Sequence, residues 1–169
     1  SFILMTINRI FQGINFIHSK SLIHRDLKPG NILIDHDNLP YISDFETLRH
    51  PNYTDDCLSN GTITNDIGSP LYSSPEQDNG ELLSYPTDIY SFGLIIYFLI
   101  EKNHKFGISS NNKLIEDHWQ LSNTSENLQR LYELCIKANP NERPTDNEVL
   151  SVITDEVNSF YYLEDYLMK

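Results

Sequence analysis

The run from Ile89 to Ile100 places the tightest limit on what this chain can fold into. Ile89, Tyr90, Phe92, Leu94 through Leu99, and Ile100 cover every face of a helix. A helix that is apolar all round has to sit inside a core, with other elements packed against each side. At about 1.5 Å per residue it is far shorter than the ~30 Å of bilayer hydrocarbon, so it reads as a core helix and not a span. Pro86, followed by Thr87-Asp88, marks its start, because the first helical position needs no N–H donor. The rest of the chain must then supply the wrapping.

Several segments can do so. Ile3, Ile7, Ile10, Ile14 and Ile17, with Phe11 alongside, recur at helical spacing and predict an amphipathic helix over 2–19. Ile32-Leu33-Ile34 and Leu39 to Ser43 read as two short strands around the turn Asp35-His36-Asp37-Asn38. Leu114 to Trp119 suits a short helix. Ser125 can cap a helix to about Lys137, with Leu128, Leu131, Leu134 and Cys135 inward, and Asn139-Pro140-Asn141 ends it. Thr145 and Glu148 form a capping box opening a last core helix. The tail from Asp155 to Lys169 reads either as one more helix or as a frayed end. The expectation is a mainly α fold with one short β-hairpin, in one domain over 1–155 followed by a tail over 156–169.

Between Asp44 and Glu76 periodicity vanishes, and His50-Pro51-Asn52 and Ser59-Asn60-Gly61 are turn formers. A loop this long in a compact domain is usually functional. Acidity narrows the partners: 12 Lys and Arg against 24 Asp and Glu give a formal charge of -12. Nucleic acid and anionic membranes are bound by basic patches, so neither is expected. Two cysteines without paired spacing do not make a disulfide framework and fit a reducing, intracellular and cytoplasmic setting. The six histidines show no i, i+4 zinc pattern, and none is expected to hold zinc.

The chemistry-bearing residues lie in His24-Arg25-Asp26-Leu27-Lys28-Pro29-Gly30-Asn31 and, eighteen residues after Asp26, in Asp44-Phe45-Glu46. Asp26, Asn31 and Asp44 are oxygen donors, and Mg²⁺ takes oxygen ligands with few carboxylates and completes its shell with phosphates. Asn31 and Asp44 suit that role, leaving Asp26 to accept a hydroxyl proton, with Lys28 beside a transferring phosphoryl group. Taken singly, each could merely satisfy loop backbone groups.

The first stretch matches the pattern H-R-D-L-x-x-x-N, and the chain resembles the eukaryotic protein kinases in their large, helical C-terminal lobe. The resemblance covers about residues 2 to 155. It implies Asp26 as catalytic base, Asn31 and Asp44 as Mg²⁺ ligands, Lys28 on the ATP phosphate, and a protein as substrate. Pro75-Glu76, with Ser74 in place of alanine, resembles the end of the A-P-E motif. Asp88 to Gly93 resembles the D-x-x-S-F-G opening of a buried helix whose aspartate braces the catalytic loop, of which His24 is part. Arg143 resembles the arginine that pairs with the A-P-E glutamate, here Glu76. Lys28-Pro29 and Ser69 resemble Ser/Thr kinases more than tyrosine kinases. Arg25 precedes the base, as does the family's arginine that binds a phosphate on the activation loop; Thr62 and Thr64 are then the expected acceptors, with Thr54 and Ser59 as further hydroxyls.

Two features depart from the family. Glu46 replaces the glycine of D-F-G, where it either adds a ligand or obstructs a conformational switch. Acidic residues at that place also occur in aminoglycoside- and choline-type phosphotransferases. No G-x-G-x-x-G precedes Asp26. The resemblance therefore implies a partial kinase domain whose small β lobe lies outside these residues, or else a pseudokinase-like binding module.

Overall fold

A computed structural model describes residues 2–51, 71–102 and 120–167. Among these, helices dominate, and the sheet is a single antiparallel pair. This is the mainly helical fold with one short hairpin that the sequence led us to expect. The predicted helix at 114–119 and the loop residues 52–70 fall outside the described residues.

Helix α3, Tyr85–Glu101, occupies the middle. Ile89, Tyr90, Phe92, Leu94, Ile95 and Ile96 are buried on all sides, while its last turn, from Tyr97, is only half-buried. The helix starts one residue before Pro86, because Ser84 takes the cap position and its N–H donates to Thr87 Oγ1 at 3.2 Å. Helices α1 (Phe2–Ser19) and α4 (Glu126–Cys135) pack against α3, and α5 (Asp146–Leu167) lies across α1 and α4. Ile7, Ile10, Phe11, Ile14 and Ile17 form the buried stripe of α1, and the Phe11 and Phe92 rings meet at 4.8 Å. Helix α5 continues through the tail as far as Leu167.

Two glycines permit close approach. A Cβ at Gly93 would lie 2.8 Å from the Cys135 Cβ, so α3 and α4 can touch only there without a side chain. A Cβ at Gly13 would lie 2.9 Å from Ile42 Cδ1, where α1 meets the hairpin.

The hairpin is β1 (Ile32–Ile34) paired with β2 (Pro40–Ile42), with Leu33 opposite Tyr41. Its turn is held by Asp35, whose Oδ1 accepts from the N–H of Asp37 and of Leu39. A short helix α2, Pro75–Asp78, follows Ser74. Helix α4 stops two residues short of Lys137, whose N–H donates to the Leu134 carbonyl, and the carbonyls of Lys137 and Ala138 accept from the Arg143 guanidinium. None of the helices among the described residues is long and apolar enough to cross a membrane.

Candidate active site

The loop from His24 to Asn31 carries no regular structure until the 3₁₀ turn Pro29–Asn31, so its backbone needs outside partners. Asp88, in the first turn of α3, supplies them. It is 1% exposed, and it accepts from the His24 N–H at 2.7 Å and the Arg25 N–H at 2.9 Å. Arg25 sits at φ +70, a left-handed conformation that side chains disfavour. That strain persists because the surroundings over-determine it: Asp88 takes the N–H, and Gln77 of α2 donates to the Arg25 carbonyl at 2.7 Å.

Above this braced backbone the side chains converge. The Asp26 Oδ2 accepts from Lys28 Nζ at 2.7 Å and from Asn31 Nδ2 at 2.9 Å. The same Asn31 Nδ2 donates to the Asp26 carbonyl at 2.7 Å. With both amide hydrogens turned to Asp26, the Asn31 amide oxygen is the atom left for a cation.

His24 ties this loop to the strand end bearing Asp44. Its Nδ1 accepts from the Asp26 N–H at 3.4 Å, so the proton resides on Nε2, which donates to the Ser43 carbonyl at 2.9 Å. Ser43 donates through N and Oγ to the Asn31 carbonyl, and Thr47 Oγ1 donates to the His24 carbonyl. Asp44 follows at φ +65, with an exposed carboxylate. The Asn31 amide oxygen and the two carboxylates of Asp26 and Asp44 are hard oxygen donors of the kind Mg²⁺ accepts. Glu46 lies in the 3₁₀ turn Phe45–Thr47, exposed and outside the left-handed region, so no glycine is required there.

Below the loop lies a second buried charge pair. Arg143 Nη1 and Nη2 donate to Glu76 Oε1 and Oε2 at 2.6 and 2.8 Å. The remaining guanidinium donors go to the carbonyls of Pro86, Lys137 and Ala138, and the ring of Tyr90 lies 4.9 Å away. Thr87 Oγ1 adds a donor to Glu76 at 3.1 Å. Burial pushes the Glu76 carboxyl up, but the hydrogen bonds and charge of Arg143 outweigh it and hold it below the usual carboxylate range.

The structure thus brings together Asp26, Lys28 and Asn31, places Asp44 beside them through His24 and Ser43, and joins Glu76 with Arg143. Ser69, Thr62 and Thr64, with Thr54 and Ser59, lie outside the described residues. Sequence reasoning passed over Gln77, His18 and Asp146. Gln77 is the third residue of α2, where its Oε1 also accepts from the Ser74 N–H; a polar residue three places after a Ser is a visible cap signal. His18 looked like scaffold because it ends an apolar stripe, yet it is buried against Asp88 and Asp146.

The family model described as protein kinase domain matches residues 3–153. A probable serine/threonine-protein kinase of Dictyostelium discoideum is 33% identical over 152 residues, which is 85% of this chain and 16% of that protein. A probable serine/threonine-protein kinase of Clostridium acetobutylicum is 29% identical over 163 residues, covering 90% of this chain and 24% of its own length. Cysteine-rich receptor-like protein kinase 24 of Arabidopsis thaliana is 33% identical over 175 residues, covering 88% of this chain and 27% of its own. This chain spans about a sixth to a quarter of the length of these relatives. With the braced loop, the hairpin and the family match in agreement, the chain belongs to the protein kinase family.

Proposed function

We propose that this chain is the lobe of a protein kinase that holds Mg·ATP phosphates and the acceptor hydroxyl, and that the transfer goes to Ser or Thr of a protein. The observation that carries this reading is the arrangement around Asp26, whose carboxylate is fixed by Lys28 at 2.7 Å and Asn31 at 2.9 Å. Asp26 accepts the proton from the hydroxyl as its oxygen bonds to the γ-phosphorus, and the bond from that phosphorus to the bridging oxygen breaks, releasing ADP. Lys28 offsets negative charge on the phosphoryl oxygens. Asn31 through its amide oxygen, and Asp44 through its carboxylate, would hold Mg²⁺, which neutralises phosphate charge when bound. Leu33 and Tyr41, paired across the hairpin and both more than half exposed, leave an apolar surface open to a ligand.

Ser/Thr specificity is supported by Lys28-Pro29 and by the names of two relatives. The exposed, unstrained setting of Glu46 favours an enzyme over a module disabled at that position. The test is Asp26→Asn in the full-length protein. Phosphate transfer from ATP to a generic protein substrate is expected to fall about 10²- to 10⁴-fold, with the unfolding midpoint unchanged. Undiminished transfer overturns the assignment of Asp26, and phosphotyrosine as the sole product overturns the specificity.

A further inference from the structure

His18 closes α1 between two carboxylates from different helices. Its Nε2 lies 3.0 Å from Asp88 Oδ2 on α3, and its Nδ1 lies 3.0 and 2.9 Å from the two oxygens of Asp146 on α5. A neutral imidazole has one donor and one acceptor nitrogen, and an acceptor aimed at a carboxylate is repelled. Carboxylates on both sides therefore require a proton on both nitrogens, which makes the ring a cation.

The exposures grade along this line: Asp146 is 23% exposed, His18 2% and Asp88 1% by side chain. Asp146 is not needed as a helix cap, because Thr145 and Glu148 already exchange those hydrogen bonds. Asp88, at the inner end, holds the N–H groups of His24 and Arg25, directly before Asp26.

We propose that Asp146 is a positioning residue for the catalytic loop: it holds the His18 imidazolium, which holds Asp88 under the His24 and Arg25 amides. The ordering runs from the rim of α5 to the base of the loop through three side chains. Burial alone favours the neutral ring, but the hydrogen bonds and charges of Asp146 and Asp88 outweigh it and raise the His18 pKa to about 9. Among the described residues, the titratable groups in contact with the ring are Asp146 from α5 and, from α3, Asp88 and Tyr85, whose ring centroid is 4.8 Å away. Replacing Asp146 with Asn keeps the shape but removes one charge. The ring then loses a proton at lower pH, and its bond to Asp88 loses the attraction between opposite charges, keeping only the ionised acceptor. The consequence for catalysis rests on the kinase reading; the ordering of the loop does not.

The test uses the full-length protein with 15N-labelled histidine and arginine. In the wild type both His18 ring nitrogens should stay protonated at pH 8. In Asp146→Asn one should be unprotonated there, and the His24 and Arg25 amides should shift and exchange faster. Asp146→Glu should restore both signals. Phosphate transfer by Asp146→Asn should show kcat lowered about tenfold, with KM for ATP within about twofold. An unchanged His18 ring, or unmoved His24 and Arg25 amides, overturns the proposal. Shifted amides in a protein whose wild type transfers no phosphate uphold the positioning of the loop and overturn the proposed function instead.

Discussion

The base of the catalytic loop and its upper face use the same kinds of residue in opposite ways. Below, Asp88, Glu76 and Arg143 are nearly inaccessible, and each is fully engaged by hydrogen bonds. Above, Asp44 is exposed, and the hairpin presents Leu33 and Tyr41 to solvent. Charges buried at the base hold backbone, and a buried charge is tolerable only when paired and hydrogen-bonded. Side chains on the face are left accessible for a ligand. Removing a base residue should therefore damage the fold, while removing a face residue should damage only binding and chemistry.

The contrast is broken most severely at Arg143. Arg143→Met strands the buried Glu76 carboxylate and leaves three carbonyls without their donor. The expected cost is about 3–5 kcal/mol, read as a lowered denaturation midpoint. A midpoint near the wild type would mean that the base does not brace.

Next in size is the response to pH. The folded pKa of His18, about 9, lies above its ordinary value of 6.5, so the folded state binds the proton more tightly than the unfolded state. The resulting stability is fully present below pH 6.5 and is lost as pH rises through about 9. At about 1.4 kcal/mol per unit this amounts to roughly 3 kcal/mol. Denaturation between pH 6 and 10 should show this loss, and His18→Gln should flatten it. Glu76 acts in the opposite direction. Its carboxyl is held below its ordinary value of 4.5, so its contribution is present above that pH and disappears on further acidification.

The smallest effect on stability belongs to the face. Asp44→Asn should change the unfolding free energy by no more than about 0.5 kcal/mol, because an exposed carboxylate without a buried partner contributes little. The same substitution should weaken Mg²⁺-dependent nucleotide binding. A large loss of stability would erase the distinction between base and face.

Much of this was legible in the residues themselves. The apolar run of α3, interrupted only by Ser91 and Gly93, could only be a core helix, and the isoleucine spacing of α1 matched its buried stripe. The capping box at Thr145 and Glu148 is present with both reciprocal bonds. The hairpin strands differ from expectation only at the ends of β2, which pairs over three residues. What could not be read was the long-range electrostatics. His18 and Asp146 are 128 positions apart, and nothing local in either marks the other. A histidine at the end of an apolar stripe looks the same in sequence whether it faces two acids or none. The capping role of Gln77 was open to sequence, but its bond to the Arg25 carbonyl was hidden for a similar reason, since backbone groups leave no trace in sequence.

The central claim is that the face around Asn31 and Asp44 receives the metal–nucleotide complex while the base only holds the loop. Paramagnetic broadening tests it most directly: Mn²⁺ with a non-hydrolysable ATP analogue, added to the full-length protein with 15N-labelled aspartate and asparagine. The account predicts that the amides of Asn31 and Asp44 broaden first, followed by Asp26, while Asp146 stays sharp. The exposed turn Asp35-His36-Asp37 also gathers ligand-type atoms within 4.8 Å of one another. Broadening centred on that turn, with Asn31 and Asp44 spared, would contradict the account.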